Sequence, residues 1–141
     1  MCRRLLFLLA TVCAVVHSAD SLRPAEKIPG ALIIHGGGRL DAKVLEAFVH
    51  FAGNESARIV VIPTAGEDAE IPPATKSVEL FKTKMGAASV TVLHTRSRDQ
   101  ANDPAFCAPL RDATGVWIGG GLQHRLELAY VGNEVEHFVP R

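Results

Sequence analysis

Four short apolar runs punctuate the chain, each followed at once by glycine, proline or polar residues. They are residues 31–35, 58–62, 89–93 and 114–118. Continuous apolar runs of this length suit strands buried on both faces, as a parallel sheet requires. Helical spacing fills the intervals between them. Leu40, Val44, Leu45, Phe48 and Ala52 share one face of a helix that Gly53 and Asn54 stop. Val78, Phe81 and Met85 share a face of a second helix, which Gly86 ends. Asp103 and Pro104 read as an N-cap with proline at the first helical position, and Pro109 predicts two short turns over 104–113. Residues 96–102 are polar and predict a surface loop, while an amphipathic helix is expected directly after Gly121.

Strands alternating with helices across short connections predict an α/β fold: a three-layer, doubly wound, mostly parallel sheet of the flavodoxin-like kind. In such sheets ligands sit beyond the carboxyl ends of the strands. One edge should therefore collect Gly36, Gly37 and Gly38, then Pro63, Thr64 and Ala65, then His94, then Gly119, Gly120 and Gly121. The second glycine triplet would offer backbone N–H groups to developing negative charge, or merely close a tight strand-to-helix turn. Neither triplet opens a G-x-G-x-x-G fingerprint, and no phosphate-binding G-x-x-x-x-G-K-[ST] loop is present.

Composition narrows the function classes. Fifteen acidic and fifteen basic side chains balance, so there is no electrostatic footprint for nucleic acid or an anionic membrane. The N-terminus stands apart: Arg3 and Arg4 precede an apolar stretch over 5–16, with small residues at Ser18 and Ala19. This predicts a signal peptide over 1–19, a linker over 20–29 and one folded unit over 30–141, placing the product outside the cell or in a periplasm. An uncleaved anchor is the alternative, and a cleaved product would have no membrane contact. Cys107 is then the sole cysteine of the mature chain and reads as a small buried apolar residue. No Cys/His spacing resembles a metal site, and no cofactor is expected.

Catalytic candidates are few. His35 and His94 each end an apolar run; His50 and His124 fall on predicted helix surfaces. Glu67, Asp68 and Glu70 form an acidic loop, and Asn54-Glu55-Ser56 matches a glycosylation acceptor. Ser56, Ser77, Ser89 and Ser97 lie at helix ends, a strand start and a loop, and none occupies a G-x-S-x-G elbow. No nucleophile is identified.

Gly36-Gly37-Gly38, Ile59-Val-Val-Ile-Pro-Thr-Ala65 and Gly115-Val-Trp-Ile-Gly-Gly-Gly-Leu-Gln-His-Arg-Leu126 together resemble the cyanophycinase and dipeptidase E family of serine peptidases. The resemblance covers nearly all of the chain after the signal. It implies a class I glutamine amidotransferase-like fold and hydrolysis of peptide bonds beside aspartyl residues, including β-aspartyl–arginine links. A peptide or cyanophycin-type dipeptide is then the expected partner, with a homo-oligomer left open. It further implies that Gly120, Gly121 and Gln123 belong to the turn beside the nucleophile; Gly36, Gly37, Gly38 and Thr64 are cleft-edge candidates from their places at strand ends. Leu122 departs from the family pattern, which commonly has aspartate there. The family's serine elbow, histidine and acidic partner follow later, and this sequence has no matching positions.

The C-terminal residues fit the same expectation. Gly132 breaks a helix, Asn133 and Glu136 resemble a capping box, and Val135, Phe138 and Val139 start a new apolar face before Pro140 and Arg141. A truncated fold, inactive by itself, is thus expected. The alternatives are a non-catalytic secreted protein that binds a small molecule or peptide, and a subunit completed by another chain.

Overall fold

The computed structural model describes residues 30–67 and 76–135. The signal over 1–19, the linker, Asp68, Glu70 and the apolar positions Phe138 and Val139 lie outside the described residues.

Among the described residues three parallel strands form the sheet, in the order β2 (Ser89–Val92), β1 (Arg58–Ile62), β3 (Gly115–Ile118). Because β1 is central, its alternating side chains build both hydrophobic layers. Val60 and Ile62 point to one face, against Leu93, Ala101, Cys107, Leu110, Ala129, Tyr130 and Val135. Ile59 and Val61 point to the other, against Val49, Ala52, Phe81 and Ala87. A strand buried on both sides has no polar face, which is why residues 58–62 read as a continuous apolar run. The α/β layering expected from the sequence is present.

Local signals set the helices. Asp41 caps α1 (Ala42–Phe51), its carboxylate accepting from Lys43 N at 2.9 Å. Gly53 then takes a φ of 108° and turns the chain toward β1. α1 lies so close to β3 that a Cβ at Gly115 would sit 2.9 Å from Ala52 Cβ. The next helix begins as α2 (Lys76–Val78) and continues as a π-helical stretch (Glu79–Lys84) that delivers Phe81 into the core. Phe81, Phe48 and Trp117 stack edge-on or tilted, with centroids 5.2–5.5 Å apart. On the opposite face lie α3 (Arg98–Ala101), α4 (Pro104–Arg111) and α5 (Gln123–Tyr130).

Three expectations are corrected. Residues 31–35 are not a strand: they pair with no other strand among the described residues, and Leu32 and Ile34 are 77% and 84% exposed. An apolar run becomes a strand only beside another strand's edge, and its composition cannot say whether that neighbour is at hand. The polar segment 96–102 is not all loop, because Ser97 Oγ accepts from Gln100 N at 3.3 Å and caps α3, which buries Ala101. Residues 104–111 form one helix despite Pro109. The proline removes a single N–H, and burial of Cys107 and Leu110 on the same face holds the helix across that gap.

Cys107 is buried as expected, and its Sγ donates to Ala101 O at 3.4 Å. Burial, reinforced by Glu134 and Asp103, pushes its thiol above the usual range. It is a packing residue and a poor nucleophile.

Candidate active-site edge

The carboxyl ends of β1 and β3 lead into two turns that interlock. After β1 the chain folds on itself through Gly66 N donating to Pro63 O at 2.8 Å. After β3, Gly119 N donates to Ile62 O and Leu122 N to Ala65 O, both at 2.9 Å. Between these bonds Gly121 adopts φ 142°, and a Cβ there would lie 2.1 Å from Ala65 O. Only glycine fits this site. Gly120 is different: it is exposed, and a Cβ would meet nothing within 4 Å. Among the described residues no acceptor takes the N–H of Gly120 or of Gly121. The turn is thus rigid below and open above, which is what a backbone oxyanion donor requires.

Thr64 stands at the β1 end, yet its side chain is fully buried and cannot line a cleft. Its Oγ1 lies 2.9 Å from His94 Nδ1 and 2.7 Å from the Tyr130 hydroxyl, whose oxygen also accepts from Thr95 N at 3.2 Å. Thr64 therefore ties the ends of β1 and β2 to the last turn of α5. Burial raises the Tyr130 phenol above its usual range despite these hydrogen bonds, so it stays neutral as a structural link. His94 is half-buried and its Nδ1 faces Thr64.

The first glycine triplet is not drawn into this arrangement. Gly36, Gly37 and Gly38 are exposed, and a Cβ built at any of them would meet nothing within 4 Å. His35 is exposed beside them, as are His50 and His124 on their helices. Gln123 begins α5 and is exposed next to the second triplet. Two side chains overlooked in the sequence do reach the turns. Arg125 Nη1 donates to Gly66 O and, at 3.3 Å, to Ala65 O. Arg96 Nη2 donates to Gly66 O at 2.9 Å. Contacts spanning 59 and 30 residues leave no local signature.

Leu122 occupies the N-cap of α5 with extended backbone angles and makes no capping hydrogen bond. An oxygen-bearing side chain is favoured there, because it would accept from the exposed N–H groups of the first turn. Leu122→Asp should therefore stabilise the chain by about 0.5–2 kcal/mol. A urea midpoint that does not rise would rule out capping at this position.

The sequence profile of peptidase family S51 matches residues 32–136. The chain belongs to peptidase family S51. It is similar to the cyanophycinase of Trichormus variabilis, at 30% identity over 108 residues, covering 74% of this chain and 36% of that protein. The cyanophycinase of Geminocystis herdmanii is 33% identical over 84 residues, covering 60% of this chain and 30% of that protein. The chain thus spans about a third of the length of these S51 relatives. The matched stretch contains both interlocked turns and all three strands.

Proposed function

We propose that this chain supplies the oxyanion-binding half of a secreted, cyanophycinase-like serine peptidase site. Its substrate would be an aspartyl or β-aspartyl–arginine peptide. In the complete site a serine hydroxyl attacks the peptide carbonyl while a base takes its proton. The N–H groups of Gly120 and Gly121 then stabilise the charge that develops on the carbonyl oxygen. The carrying observation is the geometry of that turn: two donors without an acceptor among the described residues, on a loop pinned from below. Gln123, exposed at the start of α5, would contact the substrate beside them. The Arg3–Arg4 pair and the apolar residues that follow support export.

Nothing in these 141 residues is a Gly-x-Ser-x-Gly elbow, so on this reading the chain binds without cleaving. Purified protein incubated with a β-aspartyl–arginine dipeptide should release no arginine, and a serine-directed phosphonate should leave no adduct. The same dipeptide should shift the amide resonances of Gly120 and Gly121 in an ¹⁵N-labelled sample. Turnover by the purified chain would refute the assignment of chemistry; unmoved glycine resonances would refute the assignment of the turn. The competing reading, a secreted binder unrelated to peptide hydrolysis, predicts no response to the dipeptide.

A further inference from the structure

Arg125 lies in the first two turns of α5 and is half-buried, with its guanidinium turned toward the end of β1. One nitrogen, Nη1, reaches two consecutive carbonyls, those of Gly66 and Ala65. The Ala65 carbonyl is the same one that accepts Leu122 N and that presses against Gly121. The Gly66 carbonyl also accepts from Arg96. Two cations converge on a turn whose own closing bond, Gly66 N to Pro63 O, is already in place. Closure of that turn does not need them. Arg96 ties the turn to the segment after β2, whereas Arg125 ties it to the start of α5, directly after the glycine turn.

We propose that Arg125 is a positioning residue for the oxyanion-donating turn. It holds the Ala65–Gly66 backbone in the one orientation that lets Ala65 O take Leu122 N and leaves Gly120 and Gly121 N–H facing outward. The guanidinium presents Nη1 to both carbonyls from a rigid planar group, whereas an ammonium sits on a flexible stem and is more strongly hydrated. Hydrogen bonds from a charged donor are also the stronger kind. This role rests on the reading of the turn given above, but the clamp itself can be tested without any ligand.

The test uses the ¹⁵N-labelled full chain with Arg125→Met, which keeps an apolar stem, Arg125→Lys, and Glu127→Gln as an exposed control on the same helix. In Arg125→Met the Leu122 amide should exchange about tenfold faster, and the Gly120 and Gly121 resonances should shift or broaden. Val60 and Val61, on the central strand, should keep their exchange rates. Arg125→Lys should recover part of the effect, and Glu127→Gln should resemble the unmodified chain. Uniform acceleration that includes Val60 and Val61 would make Arg125 a general stabiliser and overturn the proposal, as would an unchanged Leu122 amide. Titration with the dipeptide separates the two readings. If it leaves Gly120 and Gly121 unmoved in the unmodified chain, the ligand role fails while the clamp stands. If it moves them equally, and at equal concentration, in Arg125→Met, the clamp fails while the ligand role stands.

Discussion

Phe81→Ala should be the most damaging core substitution in this chain. The Phe81 side chain is completely buried, and its ring lies 5.5 Å from that of Phe48 and 5.3 Å from that of Trp117. Those three rings join α1, the π-helical stretch and β3 on one face of the sheet. Truncation removes the transfer free energy of a whole aromatic ring and leaves a cavity that three separate elements would have to collapse together to fill. Large-to-small changes of this kind cost about 3–5 kcal/mol, with ring–ring geometry contributing roughly 0.5–1.5 kcal/mol of it. Against a usual total of about 5–15 kcal/mol, that is a large part of the margin. Thermal unfolding followed by circular dichroism should show the midpoint falling by roughly 10–30 °C. Phe81→Leu, which keeps most of the apolar volume, should lose far less. A drop of under about 1 kcal/mol for the alanine variant would mean that the ring cluster does not hold this face together.

Much of the fold was legible because burial leaves a period in the sequence. The strand β1 is apolar on both faces, and its two neighbours lie within one residue of their expected bounds. Gly53 and Asp103 mark helix ends through short-range features that the sequence displays, while the cap at Asp41 emerged only from the structure. The residues 31–35 defeated the same logic, since an apolar run states a preference for burial and not the identity of its neighbour. The small helix α3 was hidden because its cap at Ser97 stands in an otherwise polar stretch and its one buried residue is an alanine.

The candidate site divides along the same line. The Gly-Gly-Gly turn was visible, because a strand, three glycines and a helix start are all local features. Its supports were not. Thr64 looked like a cleft residue from its place at a strand end, but the hydroxyl turns inward to His94 and Tyr130, 30 and 66 positions away. Arg125 drew no separate reading from the sequence, and only the folded chain shows two carbonyls within its reach. Sequence pattern finds the groups that would face a ligand more readily than those that hold them in place.

That division has a direct experimental consequence at two adjacent glycines. Gly121→Ala should be severely destabilising and Gly120→Ala nearly silent in stability. At Gly121 a φ of 142° lies where L-residues rarely go, and the new methyl would overlap Ala65 O at 2.1 Å and Ala65 C at 2.5 Å. Those contacts are backbone, so relief requires one of the interlocked turns to move. Backbone strain of about 1–3 kcal/mol and steric overlap of about 1–3 kcal/mol act at one position, for a loss of roughly 2–6 kcal/mol. Moving the turn would also stretch the Leu122 N to Ala65 O bond, so the damage should spread to the start of α5. At Gly120 the methyl enters open space, and the change should stay within about 0.5 kcal/mol. Urea unfolding of the two variants checks the contrast. If Gly121→Ala unfolds with the midpoint of the unmodified chain, the two turns are not interlocked, and the rigidity ascribed to the proposed oxyanion donors is lost with them. Gly120→Ala is then the informative variant for function: a chain that folds normally but carries a methyl on the open side of the donors should bind the dipeptide more weakly.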